Sequence, residues 1–388
     1  MNKKKDKFVT TGKSIRLKNT CVNDLDDIYD FEEKEQSHTK TFRRTYEKGK
    51  FSQKSNLTLL EGRIIEMRTN YSYIVDMNGA LFPCTLSGRL KYLEFESHNP
   101  VCVGDYVKID THEKDNYRIE EVLPRHNRLS RYLSSATMQR EIAIVSNIDQ
   151  IIITVSCKDP MFNSGLIDRY LCLAEIYQIH SLICVNKTDI ADDLEAIQEE
   201  CQYYLQNGYQ VIYTSTQRKK HSLDYHRLMS KHLLFKNYQI KGSFQQYRNP
   251  GIEELKELLK NKDSVFTGHS GTGKSSIINA IEPSLNLRVG EVSNVHRKGQ
   301  HTTTTSRMIK WSFGGHLIDT PGIKTLELSS AHKNLIPSHF PGFAQYASHC
   351  YFQDCTHTHE DHCSVLEHLG KEIPEERYDS YIRIMDSL

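Results

Sequence analysis

The stretch that decides the fold is Gly268-His269-Ser270-Gly271-Thr272-Gly273-Lys274-Ser275-Ser276. It has the spacing of a phosphate-binding loop, which is a glycine, four free positions and then Gly-Lys-Ser. Residues 264–267 before it predict a buried strand, and residues 276–281 after it predict the apolar start of a helix. In this setting the loop amides and the helix N-terminus bind a polyphosphate. The alternative interpretation is a glycine-rich turn that only caps a helix.

Phosphate and metal chemistry is predicted at two places in the chain. Lys274 is expected to reach the β- and γ-phosphates of a nucleotide, and the Ser275 hydroxyl to ligate Mg²⁺. A second motif, Asp319-Thr320-Pro321-Gly322, follows the strand-like residues 315–318. Asp319 stands where a carboxylate at a strand end would hold the Mg²⁺ shell, and the Gly322 amide would meet the γ-phosphate.

The base that this site selects is predicted by Asn186-Lys187-Thr188-Asp189, which follows the apolar residues 181–185. The Asp189 carboxylate would accept two hydrogen bonds from guanine, from N1–H and from the 2-amino group. Adenine has neither donor there, so a buried and unpaired carboxylate would disfavour ATP. Asn186 is expected to brace the neighbouring loop, and Lys187 to lie over the base.

The order of these motifs is unusual, because the guanine motif at residue 186 precedes the phosphate loop at residue 268. In an ordinary GTPase the phosphate loop comes first and the guanine motif last. The same sheet can be built from this order only if the chain is circularly permuted.

Composition and length bound the class of protein. The chain has 388 residues, enough for two to four domains with substantial cores, and a formal net charge of +1. Affinity for nucleic acid therefore has to come from local patches. The sequence contains no secretory signal pattern and no apolar run of about 18 residues. We expect a soluble, cytoplasmic protein, whose cysteines outside the C-terminal cluster are reduced core residues.

A C-terminal cluster of three cysteines, Cys350, Cys355 and Cys363, predicts a zinc site. Three thiolates and one imidazole make a closed tetrahedral set, which fits one structural Zn²⁺ because no position remains for water. The spacing leaves the fourth ligand open among His349, His357, His359 and His362. The alternative is a group of reduced cysteines without a metal.

The surroundings of this cluster are predicted as well. We expect Phe340, Phe343, Tyr351 and Phe352 to pack beside the metal, and one helix over about residues 365–388 to pack on the zinc segment. The polar residues between the ligands cannot order themselves, so metal binding has to supply that free energy. Loss of the metal is expected to leave GTP binding nearly intact, because the nucleotide motifs lie elsewhere in the chain.

The chain divides into four predicted segments. Residues 1–56 are polar and lysine-rich and are expected to be a disordered extension. Residues 57–125 contain five short strand patterns, which suit a small closed barrel. Residues 126–335 form the α/β GTPase domain, with a linker at its start and a polar insertion at about 217–250. Residues 336–388 form the zinc-binding domain. A basic face on the barrel is predicted from Arg63, Arg68, Arg89, Lys91 and Lys108.

The motif order, the run Gly299-Gln300-His301-Thr302-Thr303-Thr304 and the cysteine cluster together resemble the RsgA (YjeQ) family, the small ribosomal subunit-dependent GTPases. The resemblance covers about residues 57–388. It implies a multidomain protein with an N-terminal OB-fold barrel, a circularly permuted P-loop GTPase domain and a C-terminal zinc knuckle with helices. It also implies His357 as the fourth zinc ligand, and the Ser215-Thr216 loop as a second contact to guanine.

The resemblance implies a switch stretch as well. Thr302 or Thr303 is expected to close on Mg²⁺ when γ-phosphate is present. Ile323 stands where Ras-like GTPases have a water-positioning glutamine, and an apolar side chain cannot orient water. Intrinsic hydrolysis is therefore expected to be slow. His301 is the nearby titratable candidate that would complete the site, and the alternative is an ordinary surface histidine.

The function implied by the resemblance is a GTPase that binds the small ribosomal subunit and its rRNA, assists late maturation, and hydrolyses GTP to GDP and phosphate. The expected cofactors are Mg²⁺ with the nucleotide and one Zn²⁺, in a monomer with no membrane association. The first alternative is an rRNA-binding module that responds to GTP or GDP and hydrolyses little. The second is a small-molecule kinase, which the guanine motif disfavours because such kinases usually use ATP.

Overall fold

A computed structural model describes residues 59–68, 72–88, 90, 101–112, 116–134, 139–217, 251–287, 306–320, 323 and 326–388. The predictions made for residues 1–56, for 218–250 and for the switch stretch 299–305 lie outside these ranges. Within them, every helix is too short or too polar to span a membrane.

The first part of the fold is a five-stranded barrel. Its strands are β1 (Leu59–Arg68), β2 (Ser72–Met77), β3 (Ala80–Leu86), β4 (Tyr106–Asp110) and β5 (Tyr117–Val122). They pair in the ring β1-β2-β3-β5-β4, and β4 returns to β1. The barrel has its own hydrophobic core, in which Ile64, Val75 and Ile109 are fully buried. The predicted closed barrel is confirmed.

The segment after the barrel is a β-hairpin, although the sequence predicts a linker there. Strands β6 (Arg128–Ser134) and β7 (Gln139–Ser146) pair with each other in a separate antiparallel sheet. Leu129 and Val145 are fully buried. The prediction is wrong because the polar and basic residues of β6 hide its half-buried pattern, and only the partner strand makes the pairing recognisable.

The central part is a six-stranded arrangement of β8 (Gln150–Ser156), β9 (His180–Asn186), β10 (Gln210–Tyr213), β11 (Lys262–Thr267), β12 (Arg307–Lys310) and β13 (Gly315–Asp319). Their spatial order is β10-β9-β8-β11-β13-β12. All neighbours are parallel except β12 and β13. Every residue of β8 is buried, as a parallel strand covered on both faces requires. β12 was not predicted from the sequence.

Four helices accompany these strands: α1 (Ser164–Ile176), α2 (Leu194–Gln206), α3 (Ile252–Leu259) and α4 (Lys274–Ile281). The side chains of Asn163 and Asp193 cap α1 and α2 by accepting hydrogen bonds from the amides of Leu166 and Ala196. Helix α4 begins directly at the end of the phosphate loop. The predicted strand–loop–helix setting of that loop is confirmed.

The C-terminal part contains α5 (Ile336–His339), α6 (Ala344–Ala347), α7 (Ser364–Glu367) and α8 (Glu375–Asp386). The single helix predicted over about 365–388 is wrong. Gly370 has a φ of 75°, which a helix does not allow, and Pro374 precedes the first residue of α8. The chain therefore turns between α7 and α8.

The cysteines outside the C-terminal cluster that the structure describes are buried and unpaired, as the composition predicts. They are Cys84, Cys102, Cys157, Cys172, Cys184 and Cys201.

Candidate functional site

The predicted nucleotide motifs meet at one edge of the central sheet. Strands β9, β11 and β13 are parallel members of that sheet, so their carboxyl ends lie at the same edge. Asn186 ends β9, Asp319 ends β13, and the phosphate loop follows Thr267 at the end of β11. Ligands of open α/β sheets bind at this edge, outside the carboxyl ends of the strands.

Two positions of the phosphate loop require glycine, because the loop backbone lies very close to atoms of β8 and β9. Gly268 has a φ of 132°, and a Cβ there would lie 2.0 Å from the carbonyl oxygen of Thr154 on β8. Gly273 has a φ of 93°, and its Cβ would lie 2.3 Å from Nδ2 of Asn186. Any larger residue would push the loop away from both neighbouring strands. The glycine pattern therefore fixes the loop against the sheet edge.

The remaining loop residues differ in exposure. Lys274 and Ser275 are mostly buried at the start of α4, and the Lys274 ammonium donates to the carbonyl oxygens of Gly268 and His269, both at 2.6 Å. Thr272 is buried, and its hydroxyl donates to the carbonyl of His269 at 3.0 Å. His269, Ser270 and Gly271 are exposed, and Ser276 is half-buried.

Asn186 braces the phosphate loop, as the sequence predicts. Its Nδ2 donates to the carbonyl of Thr272 at 2.9 Å, and its Oδ1 accepts from the Thr214 hydroxyl at 3.0 Å. One buried amide thus joins the ends of β9 and β10 to the loop that follows β11. This contact holds the guanine motif and the phosphate loop in a fixed relation.

Asp189 and Ser215 lie next to each other, although they are 26 positions apart in the chain. The Ser215 hydroxyl donates to Oδ1 of Asp189 at 2.7 Å, and the Thr188 amide and hydroxyl both donate to the carbonyl of Thr214. The loop containing Ser215 and the half-buried Thr216 therefore borders the predicted guanine carboxylate. The Lys187 ammonium donates to the carbonyl of Asp159.

Asp319 is half exposed and forms an ion pair with Arg307. Nη2 of Arg307 lies 3.6 Å from Oδ2 of Asp319. The neighbouring residues Ser306 and Thr320 share a hydrogen bond between their hydroxyls at 2.8 Å. Sequence reasoning did not identify Arg307, because an isolated arginine after a threonine run has no motif of its own.

Several predicted site residues lie outside the described ranges: His301, Thr302, Thr303, Pro321 and Gly322. Their roles stay predictions. Ile323 is described and only 6% exposed, within a large hydrophobic cluster. Its side chain is therefore apolar and packed, in agreement with the expectation that this position does not orient water.

The predicted metal ligands form one compact cluster. The ligand atoms of Cys350, Cys355, His357 and Cys363 all lie within 4.8 Å of one another. Sγ of Cys350 is 3.9 Å from Sγ of Cys363, and Nδ1 of His357 is 3.6 Å and 3.4 Å from these two sulfur atoms. Tetrahedral zinc, with Zn–S of about 2.3 Å and Zn–N of about 2.0 Å, would place such atoms roughly 3.5–3.8 Å apart. The donor set fits zinc.

The orientation of His357 is set by its other ring nitrogen. Nε2 lies 3.2 Å from the carbonyl oxygen of Pro337, so Nε2–H donates there and Nδ1 is left with its lone pair towards the sulfur atoms. The Tyr378 hydroxyl donates to the His357 carbonyl at 2.8 Å. Burial raises the pKa of the Cys355 and Cys363 thiols, so a bound cation is needed to hold them as thiolates.

The aromatic residues around this cluster divide into two pairs. Phe340 and Phe343 are buried at 1% and 0% exposure, as predicted. Tyr351 and Phe352 are 74% and 45% exposed, so unlike the first pair they are not buried beside the cluster. They lie on the short loop between the first two cysteines, and their rings contact each other edge to face.

The basic face predicted for the barrel stays a prediction, and its described cations have acidic partners. Arg63, Arg68 and Lys108 each pair with a carboxylate, on Asp263, Glu66 and Glu121 respectively. Arg89 and Lys91 lie outside the described ranges. Arg63 is mostly buried at the junction with β11, whereas Arg68 and Lys108 keep contact with solvent.

This chain is similar to known proteins in sequence and in structure. The model of the RsgA GTPase family matches residues 122–235 and 231–329. The small ribosomal subunit biogenesis GTPase RsgA of Flavobacterium psychrophilum is 31% identical over 331 residues, covering 84% of this chain and 93% of that protein. The protein of the same name from Chlorobaculum tepidum is 34% identical over 335 residues, covering 84% and 97%.

Solved structures agree with the sequence relatives. The crystal structure of YjeQ from Thermotoga maritima has a TM-score of 0.60 and 30% identity, and the match covers 85% of this chain and 98% of that one. The structure of YloQ, described as a circularly permuted GTPase, has a TM-score of 0.58 and 26% identity, with coverage of 85% and 94%. The predicted circular permutation is confirmed, and this chain belongs to the RsgA GTPase family.

Proposed function

We propose that this protein binds GTP with Mg²⁺, hydrolyses it to GDP and phosphate, and acts in biogenesis of the small ribosomal subunit. The observation that carries the proposal is the contact of Asn186 with the phosphate loop, because it joins the guanine motif and the phosphate motif into one site. The family to which the chain belongs is a family of GTP hydrolases, and its relatives are named for small-subunit biogenesis.

The roles of the site residues follow from their chemistry. Residues 268–276 wrap the phosphates through backbone amides, and Lys274 neutralises the β- and γ-phosphate charge. Asp189 accepts hydrogen bonds from guanine, beside the loop of Ser215 and Thr216. A bound Mg²⁺ would supply positive charge against the phosphates. Ser275 and Asp319 are the residues that would hold it.

The zinc cluster is proposed to have a structural role. One Zn²⁺ held by Cys350, Cys355, His357 and Cys363 would fill all four tetrahedral positions with protein atoms. The proposal includes domain boundaries at about residues 57, 126 and 336. It also includes action as a monomer in the cytoplasm, at the ribosomal subunit. The small subunit with its rRNA is the proposed partner.

A second candidate function is an rRNA-binding module that responds to the nucleotide and hydrolyses little of it. The packed, apolar Ile323 supports it, since this side chain cannot orient the attacking water. The two candidates differ in turnover. GTP hydrolysis measured with and without purified small subunits decides between them, because only the GTPase is expected to accelerate when subunits are added.

Base selection provides the test of the site itself. Asp189→Asn should move preference from GTP to xanthosine triphosphate, because the new amide nitrogen donates to the 2-carbonyl of xanthine but meets the 2-amino group of guanine, which is also a donor. Each lost hydrogen bond to a charged group costs about 1.5–3 kcal/mol. Lys274→Ala should abolish hydrolysis of both nucleotides. Unchanged GTP affinity in Asp189→Asn would remove this carboxylate from the base site.

A further inference from the structure

Arg307 occupies a position that the proposed roles leave unused. It is the first residue of β12, and it lies opposite Asp319, the last residue of β13, in the antiparallel ladder. Its guanidinium is 3.6 Å from the Asp319 carboxylate, and both side chains are 49% exposed. Within the described part of the chain, it is the one cationic side chain within 4.0 Å of this carboxylate. The carboxylate proposed for Mg²⁺ therefore already faces a positive charge.

The backbone that carries Arg307 is held from two sides. The Met67 amide on β1 donates to the carbonyl of Ser306 at 2.9 Å, and Glu66 on β1 lies opposite Arg307 across the ladder. The Ser306 hydroxyl bonds to that of Thr320 at 2.8 Å. The barrel and the end of β13 thus place the Cα of Arg307 next to Asp319.

The side chain of Arg307 is held less tightly than its backbone. A distance of 3.6 Å between nitrogen and oxygen is longer than a hydrogen bond, so the contact is an ion pair without a directed bond. The long arginine side chain is half exposed and can move away from the carboxylate at small cost. Asp319, in contrast, lies on a short strand with a partner on each side.

A guanidinium and Mg²⁺ cannot both be close partners of the same carboxylate without repelling each other. Mg²⁺ requires a nearly ideal octahedral shell of oxygen atoms at short distances, and carboxylates are among its usual protein ligands. Mg²⁺ also links the nucleotide phosphates to the protein, so loss of the metal weakens retention of the nucleotide. Occupancy of Asp319 by Arg307 and occupancy by the metal shell are therefore alternatives.

We propose that Arg307 is a positioning residue that competes with Mg²⁺ for Asp319, weakens metal retention and thereby speeds release of bound nucleotide. The inference rests on the proposed function, since it requires a nucleotide and Mg²⁺ at this edge of the sheet. The consequence is a GTPase that exchanges its metal readily and therefore releases its nucleotide faster.

The test measures dissociation of a fluorescent GDP analogue, mant-GDP, from the full chain over a range of Mg²⁺ concentrations. Arg307→Gln removes the charge at similar length, Arg307→Lys keeps it, and Lys310→Gln removes the same charge from the other end of β12. The Mg²⁺-free buffer is prepared without adding chelator to the protein, because a chelator would also extract zinc.

At limiting Mg²⁺, Arg307→Gln should release mant-GDP about two- to fivefold more slowly than the wild type, the size expected for a partly exposed ion pair. The Mg²⁺ concentration for half-maximal retention should fall by a similar factor. Arg307→Lys and Lys310→Gln should behave like the wild type. In Mg²⁺-free buffer all four proteins should release at one rate, which a merely structural role of Arg307 does not predict.

Two results overturn the inference alone. They are an unchanged Mg²⁺ midpoint in Arg307→Gln, and a rate difference that persists in the absence of Mg²⁺. If the wild type does not bind mant-GDP, or releases it independently of Mg²⁺, both this inference and the proposed nucleotide site are wrong. The behaviour of the wild type therefore distinguishes failure of this inference from failure of the proposed nucleotide site.

Discussion

The GTPase sheet is joined to its two neighbours by different interactions. The barrel has its own hydrophobic core, and it meets the rest of the fold through the pairing of β1 with β12, through a few apolar side chains at Val103, Ile65 and Met67, and through a polar network at Arg63. The C-terminal segment shares one continuous hydrophobic cluster with the sheet and with α1, from Ile151 and Val265 to Phe343 and Tyr381. Because fewer apolar contacts join the barrel to the sheet, we expect the barrel to separate from the GTPase sheet more easily than the C-terminal segment does.

The barrel junction includes a polar network around Asp263, at the start of the strand that leads to the phosphate loop. The Arg63 guanidinium pairs with the Asp263 carboxylate and donates to the carbonyls of Asn147 at 2.7 Å and Gly104 at 3.2 Å. Nδ1 of His316 is 2.8 Å from the same carboxylate. Because this network keeps some contact with solvent, removing a partner leaves the remaining charge partly hydrated.

The C-terminal junction adds a buried ion pair to its apolar contacts. The Arg377 guanidinium on α8 is 2.9 Å from the Asp168 carboxylate on α1 and 2.6 Å from the Tyr204 hydroxyl on α2. Tyr204 in turn donates to Asp168 at 2.7 Å. Asp168 is completely buried, so its charge depends on these partners.

The largest expected effect comes from Cys355→Ser. Zinc binding supplies free energy on the order of 10 kcal/mol to structural sites, so the variant should lose its metal and unfold the C-terminal segment. Because the hydrophobic cluster is continuous with the GTPase sheet, GTP binding should weaken and the unfolding temperature should fall. The sequence alone predicts nearly intact GTP binding, and the shared cluster is the reason for expecting otherwise.

Metal analysis and mant-GDP titration of the purified variant measure both effects. His359→Ala is the matched control, because this histidine is exposed and lies outside the set of four ligands. A variant that loses zinc but binds GTP like the wild type would show that the C-terminal segment is separable.

The second largest effect is expected for Arg377→Met. It leaves the Asp168 carboxylate buried without its cation, which typically costs about 3–5 kcal/mol of unfolding free energy. Adding Asp168→Asn to this variant should recover part of the loss, since the uncompensated charge is removed. Denaturant unfolding measures the change. Arg383→Met, an exposed position on the same helix, should stay within about 0.5 kcal/mol of the wild type.

Arg63→Met is expected to cost less, about 1–3 kcal/mol, because Asp263 keeps His316 as a partner and some solvent. This loss of unfolding free energy should weaken the junction between the barrel and the GTPase sheet. We expect the barrel to unfold in a separate, earlier transition and subunit-stimulated hydrolysis to decrease, while intrinsic GTP binding is retained. Lys108→Met removes an exposed barrel ion pair and serves as control. Loss of GTP binding in Arg63→Met would contradict the separable junction.

The smallest effect is a pH dependence of the barrel junction. Burial raises the pKa of Asp263, but hydrogen bonds and charges from His316 and Arg63 outweigh it and lower the pKa on balance. The ionised form therefore stabilises the fold above about pH 4, the usual range of an unfolded aspartate, and this contribution is lost as pH falls through the lower folded pKa. The difference in unfolding free energy between wild type and Asp263→Asn should shrink as the pH falls below about 4.

The parts of the fold that were predicted from the sequence are those with local patterns. The phosphate loop, the strand that precedes Asn186 and the barrel strands each have the required spacing within a few residues. Strand β12 and the hairpin of β6 and β7 lack such a signal, since a short or basic strand becomes recognisable only through its partner. The zinc ligands were predicted as a set, but the exposure of Tyr351 and Phe352 depends on a turn that spacing does not specify.

By itself, the sequence determined the family of this protein and the motifs on which its proposed chemistry rests. A phosphate loop, a guanine carboxylate and a thiolate cluster require particular residue types at fixed spacing, because each binds its ligand through a few adjacent groups. Only the tertiary structure decided which distant residues meet: Arg63 with Asp263, Arg307 with Asp319, and Arg377 with Asp168. Partners that lie between 12 and 209 positions apart leave no local pattern, since their contact depends on how the elements pack.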